Sequence, residues 1–514
     1  MLSWTRSAIL LASVLAGAAT ALPASAQKKG GQIVYGNISG PGTLDPYVAG
    51  NLVELEVIHH LFETLVEMDE NYNVRPMLAS KVDTGDEAKT FTFALRHGVK
   101  FHNGKEMTSA DVLASFQRYA RVSTNAVLLA DVDRYETPDP YTFIVRLKNT
   151  NAVFLDLLKT PTYPISILPA EQADKPGRDA EIIGTGPYQL GEWQKDSHLV
   201  IRRFDNYSAD ESAPGPEGFA GRKTAYLDSV RYNFVPEANS RVAALQSGQA
   251  DVISDVSPDL VKRFASRADL AAQDVFPYCQ QVFVTHATNG LTANPLIRKA
   301  IGAVVNVDDI IAASGSVVAR RNHSLVYPES PYYPGDATAK YYDRKNVAEA
   351  RELLKQAGYK GEKLVLQTNS NYAYMRDSIV VLDEMLKEAG FNTEVQITDW
   401  LTNSTNLQRG TGNWNVSTTG FCSQPLLGPQ QWKTMVYVFP HLGPEPAMDA
   451  AYQRFFTSLD PAARKAAWLD IETRMLDQAY FIKVRDMGSI RGYNKKVEGM
   501  TPYYFLRFWN VSVK

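Results

Sequence analysis

The side chains best suited to chemistry here are eight histidines and two cysteines, and their spacing matches no catalytic pattern. His59 and His60 are adjacent, which on a strand turns them to opposite faces, and no HExxH pattern surrounds them. His97 and His102 flank a predicted turn and lack metal-ligand spacing, so surface or capping roles suit them better. The stretch Gly36-Asn37-Ile38-Ser39-Gly40 is not a nucleophile elbow, because the serine stands one place too late. Neither a Walker A loop nor a GxGxxG after a strand occurs. Cys279 and Cys422 read better as a disulfide than as a nucleophile, with two isolated buried thiols as the alternative that geometry decides. No cofactor and no metal centre are expected. Triads assemble from distant residues, so an exported hydrolase stays open as a second class.

The elements that must position any site alternate between strands and helices. Thr90-Phe91-Thr92-Phe93-Ala94-Leu95 alternates with β period and stops at Gly98. Thr108 or Ser109 then caps a helix carrying Val112, Leu113 and Phe116. Residues 141–145 and 198–201 predict further strands. Two longer helices are predicted over 346–357 and 377–389, stopped by Gly358 and Gly390. Each is followed by a strand, over 364–366 and 393–397. That is an α/β lobe, and such sheets bind ligands beyond the carboxyl ends of their strands.

At 514 residues and 57.0 kDa the chain is too long for one core, so two or three lobes are expected. Its 26 tyrosines suit a cleft that is both polar and apolar, or ordinary core and surface use. The N-terminus has the three parts of a secretory leader: Arg6, an apolar run from Ala8 to Ala21, and Ala24-Ser25-Ala26 before Gln27. The apolar run is shorter than the roughly 20 residues a membrane span needs. Export to the periplasm of a Gram-negative cell follows, and with it an oxidising compartment that favours the disulfide. Loss of residues 1–26 removes Arg6 and takes the net charge from −3 to −4. Such weak acidity gives no reason to expect nucleic acid as a partner.

Several phrases, in order, resemble the periplasmic solute-binding proteins of the peptide/nickel ABC importer family. They are Thr43-Leu44-Asp45-Pro46, Leu61-Phe62-Glu63-Thr64-Leu65, the long stretch Phe91 to Arg118, Gly184-Thr185-Gly186-Pro187-Tyr188, Leu245 to Asp251, and Asn294 to Ala300. The resemblance implies a non-enzymatic, α/β periplasmic-binding-protein fold: two lobes, an extra inserted domain, and a ligand cleft at the hinge. The implied division is lobe I from 27–60, 180–278 and 486–514, a second domain inserted over 61–179, and the other lobe over 279–485. Expected partners are a small-molecule or peptide ligand and an ABC permease in the inner membrane, the receptor itself being a monomer.

In the oligopeptide receptor the cleft draws on a segment that resembles Trp400 to Pro425 here. Its aromatic-Cys pair matches Phe421-Cys422 and its partner cysteine matches Cys279, so the resemblance implies the Cys279–Cys422 disulfide. Peptide receptors carry an Asp two residues after that cysteine, paired to the peptide's ammonium; here the position is Gln424. An amide accepts a hydrogen bond but cannot offset the charge of a desolvated ammonium. An arginine four residues before the cysteine is replaced by Thr418. The expected ligand is therefore a blocked or modified peptide, an opine-type conjugate or a metal chelate, unless Asp255 or Glu54 takes over the amine. Other expected ligand-binding residues are Trp400, Phe421, Cys422, Ser423, Tyr372, Tyr374, Asn51 and Asp255. Arg376 and Arg409 are candidates for a ligand carboxylate, with a solvated surface charge as the alternative for each.

Overall fold

The computed structural model describes residues 27–123, 125–264, 266–315, 318–422 and 428–514. The expected leader over 1–26 and two expected site residues, Ser423 and Gln424, lie outside them. Among the described residues the predicted elements form with shifted ends. The strand over Thr90–Leu95 forms as predicted. The helix Val347–Gln356 is capped by Asn346, whose side chain accepts from Glu349 N. The next helix starts a turn earlier than predicted, spanning Ala373–Ala389, and ends on Gly390 at φ 99°. Of the tyrosines expected at the site, Tyr372 is its N-cap residue and Tyr374 lies in its first turn.

An eleven-stranded sheet among the described residues organises the molecule. On one side lie Asn392–Thr398, Lys363–Asn369 and Val416–Phe421. On the other lie Val252–Ile253, Gln32–Asn37, Ser229–Phe234, His198–Arg203 and Tyr188–Gln194, and off this path the short Val318–Arg320 pairs with Phe481–Asn494. Two long antiparallel strands, Leu270–Thr285 and Phe481–Asn494, join these halves. One end of the pair serves each half: Thr285 to Gln280 pair with Val416 to Phe421, whereas Tyr493 pairs with Val252. The ladder between the long strands breaks between Val275 and Cys279, where the sheet passes from one half to the other. A separate four-stranded antiparallel sheet, Ala79–Gly85, Thr90–Leu95, Thr142–Leu147 and Val132–Asp139, carries the helix Ser109–Val122. Phe116 of that helix packs on Phe143 with ring centroids 5.0 Å apart.

The ordered phrases of the sequence turn out to lock one another. Asp45 forms a two-pronged pair with Arg118, at 3.0 and 2.5 Å, with both side chains 1% exposed. Arg118 also donates to the carbonyls of Lys175 and Pro176, and Asp45 accepts from Arg178 N. The first phrase is thereby tied to the last residue of the longest. Gly186 sits so close to the helix Leu52–Leu61 that a Cβ there would lie 2.4 Å from the His60 carbonyl oxygen. These residues are scaffold.

His59 and His60 lie on that helix, not on a strand as the sequence reading has it, and both are buried. His59 Nε2 lies 2.8 Å from the Pro161 carbonyl, and His60 Nε2 accepts from Phe508 N. Burial holds both rings down at about 3, so they stay neutral. His102 caps the glycine phrase, bonding to Gly184 N and Gly186 O.

Candidate functional site

A cavity of about 430 Å³ opens where the long strands change partners. The strand Leu270–Thr285 supplies Tyr278 and Cys279 to its wall, and Phe481–Asn494 supplies Met487 to Ile490. Val416–Phe421 brings Gly420, with Cys422 just beyond it. Cys279 and Cys422 form a disulfide that is part of the lining.

Strand alternation decides which residues of this segment face the cavity. Gly420 and Cys422 point in, so Phe421 points to the opposite face. There it packs against Trp432, Phe439 and Phe481, with centroids at 5.3, 5.2 and 6.0 Å. Gly420 leaves room for Tyr374: a Cβ at this position would stand 2.7 Å from the Tyr374 hydroxyl. Burial pushes that phenol well above its ordinary range, so it remains a hydrogen-bond donor and acceptor.

Tyr372 and Trp400 form an aromatic corner over the cavity, edge to face at 5.1 Å. The corner is held by short-range bonds. Asn369 Oδ1 accepts from Asn371 N and Tyr372 N, and Asn371 Oδ1 accepts from Trp400 N at 2.8 Å. Asp399 caps the helix Trp400–Arg409 by accepting from Thr402 N.

Asp255 supplies the charge from the other half of the sheet. Its backbone sits at φ 49°, in the left-handed region that a non-glycine residue adopts at a cost, often at functional sites. Two groups hold it there. Ser489 donates to its carboxylate at 3.1 Å, and the buried Arg241 donates to the carbonyls of Val235, Pro236, Ser254 and Asp255. Among the described residues Asp255 is the one charged side chain of the cavity wall.

Of the residues expected from the sequence, the structure therefore brings together Asp255, Tyr372, Tyr374, Trp400 and Cys422. It places the other described ones elsewhere. Asn51 is the cap of the helix Leu52–Leu61. Glu54 accepts from the backbone of Gly42, Thr43, Gly50 and Asn51, so its carboxylate is already filled. Arg376 pairs with Asp377 at 2.9 Å, and Arg409 is exposed at the end of its helix. Tyr278, Met487 and Ser489 were not expected. They come from the crossing strands, whose even run of apolar and polar residues carries no mark of a site.

Among the described residues no cluster of three or more His, Cys, Asp or Glu side chains is placed to hold a metal ion. No helix among them is long and apolar enough to cross a membrane.

The fold has known counterparts. Residues 73–437 match the model of the bacterial extracellular solute-binding proteins, family 5. The chain belongs to this family. A glutathione-binding protein, GsiB, of Salmonella paratyphi A is 25% identical over 441 residues, covering 82% of each chain. The substrate-binding protein CtaP of a Listeria monocytogenes ABC transporter superposes with a TM-score of 0.80 at 19% identity, over 95% of this chain and 100% of that one. The binding protein AgaA of A. tumefaciens R10, solved with agropinic acid, gives 0.73 at 23% identity, over 94% and 99%. The fold is the two-lobed, mixed α/β fold of family 5 binding proteins.

Proposed function

We propose that this chain is the exported, monomeric receptor of an ABC importer, taking a peptide or peptide-like solute into the cavity between its lobes and presenting it to an inner-membrane permease. It binds without turnover. On this reading residues 1–26 are removed on export, 27–60, 180–278 and 486–514 form one lobe with 61–179 inserted, and 279–485 form the other. Closure of one lobe on the other would turn about the crossing strands.

The observation that carries the reading is the wall itself: an aromatic corner from one half of the sheet facing one fixed carboxylate from the other. About 430 Å³ lies within the roughly 300–1,000 Å³ usual for small-molecule sites. Tyr372, Tyr374 and Trp400 suit the faces of side chains or amide planes, and Asp255 suits an amine. Similar proteins named for small solutes support this, a glutathione-binding protein and a protein in complex with agropinic acid among them.

The test is a thermal-shift screen of the mature protein, unfolded and refolded beforehand to strip bound solute. The panel holds di- to pentapeptides, N-blocked peptides, glutathione, opines and metal chelates. A compound at a hundred times its dissociation constant adds about 2.7 kcal/mol. A rise with peptides or conjugates is expected. No rise with any of them, or steady conversion of one, contradicts the proposal.

A further inference from the structure

Behind the main cavity lies a second chamber of about 90 Å³, sharing Asp255, Tyr278 and Ser489 as a common wall. Its interior is charged. Glu56 projects from the helix Leu52–Leu61, and Arg491 from the strand Phe481–Asn494; both are buried. Their hydrogen bonding is incomplete. Glu56 Oε2 accepts from Leu506 N at 3.4 Å, the Tyr35 hydroxyl stands close enough to the carboxyl to favour its charged form, and Oε1 makes no hydrogen bond of good geometry. Arg491 Nη2 donates to the Tyr504 carbonyl at 3.1 Å while Nη1 has none, and the Tyr504 hydroxyl is also unpartnered. No ion pair joins Glu56 to Arg491 among the described residues. Buried charged atoms left this way are rare in a finished core and costly unless something fills the space.

We propose that this chamber is a subsite for a cationic group, a primary ammonium carried by the solute, held between Glu56 and Asp255. The inference rests on the main cavity being the solute site. Charge decides the sign of the occupant. Of the charged side chains that line the chamber, two are carboxylates and one is a guanidinium already bonded to a carbonyl. The Arg241 guanidinium behind Asp255 is taken up by four backbone carbonyls and does not line it. A cation balances the lining, whereas an anion would add a third negative group. Burial raises the Glu56 carboxyl to about 7, with the charge of Arg491 the strongest opposing effect. Entry of a cation would hold Glu56 ionised. The other groups around it that shift do not switch near neutrality: burial keeps the Tyr35, Tyr232, Tyr278 and Tyr504 hydroxyls protonated and the nearby His60 ring neutral.

The chamber can be probed with a fragment, without knowing the solute. Ethylammonium has three heavy atoms, and at the ligand-efficiency ceiling its dissociation constant is about 1 mM. At ~100 mM ethylammonium chloride the melting point should rise by about 2–3 °C over the same concentration of sodium chloride. The rise should vanish in Glu56→Gln, which keeps the shape of the side chain. In the unaltered protein it should shrink as pH falls from 8 to 6, because Glu56 takes up the proton that the cation must displace. Equal shifts in both proteins, no shift in either, a shift that grows toward acid, or stabilisation by sodium acetate in place of ethylammonium would overturn the proposal and leave a chamber filled by water. Peptides report separately. If ethylammonium acts through Glu56 but no peptide binds, the solute class is wrong and the subsite stands. If peptides bind and N-acetylation weakens them less than twofold, the subsite is wrong and the receptor stands.

Discussion

Removing the carboxylate of Asp45 tests whether the ordered phrases of the sequence are a structural lock. Asp45 and Arg118 are each 1% exposed and meet through two parallel bonds. Asp45→Ala strands a buried guanidinium, for which the typical loss is about 3–5 kcal/mol. Two structural details place this case within that range. Arg118 keeps the carbonyls of Lys175 and Pro176, which lowers the loss. Arg178 N and Tyr47 N lose their acceptor, which adds about 1 kcal/mol for each. The expected result is about 4 kcal/mol, read from urea unfolding of the mature protein. Asp45→Leu with Arg118→Met should recover much of it, because replacing both partners removes the stranded charge, giving a coupling energy of about 2–3 kcal/mol in a double-mutant cycle. A coupling below about 1 kcal/mol would refute the reasoning, since contacting buried partners do not act independently.

Three further outcomes follow from the same geometry. Gly420→Ala should cost about 1 kcal/mol of stability, the low end for overpacking, because the group met at 2.7 Å is the movable end of Tyr374; it should weaken solute binding about tenfold in calorimetry, and unchanged affinity would refute the placing of Tyr374 in the site. Replacing Cys279 and Cys422 by serine opens a closed segment with a sequence separation of 143 and should lower stability by about 2–5 kcal/mol, measured against the oxidised protein; a change under about 0.5 kcal/mol would contradict it. His59 has a folded pKa depressed to about 3, so its contribution is present above the ordinary value of 6.5 and is lost as pH falls below it. The stability gap between the unaltered protein and His59→Gln should therefore narrow by about 2 kcal/mol from pH 7 to pH 5, and parallel unfolding curves would show that the ring is not held neutral.

The scaffold was more legible than the site, for physical reasons. Periodicity and stop signals located the strand at Thr90–Leu95 and the helix ending at Gly390, because both are dictated by local burial and backbone freedom. Trp400 could be named because its segment resembles the cleft-lining stretch of the oligopeptide receptor, and Tyr372 and Tyr374 because they offer hydroxyls in the run that enters a helix. Phe421 illustrates a rule present in the sequence but not applied: with Gly420 and Cys422 on the cavity face, a period of two sends Phe421 into the core. Asn51 likewise carried its own explanation, since Asn51 and Glu54 are spaced as a capping box. Tyr278, Ser489 and Glu56 were not legible. They meet only because two strands distant in the chain cross together between the halves of the sheet, and pairing over such separations leaves no local signature.

The central claim is that a peptide-like solute sits between the aromatic corner and Asp255. The most direct measurement is a crystal structure of the mature protein with the most stabilising compound of the screen, joined to calorimetry on Trp400→Ala. The account predicts the compound in the cavity, against Trp400 and Tyr374 with a polar group toward Asp255, and a loss of affinity of at least tenfold in the variant. A compound bound elsewhere on the molecule, or full affinity without Trp400, would contradict it.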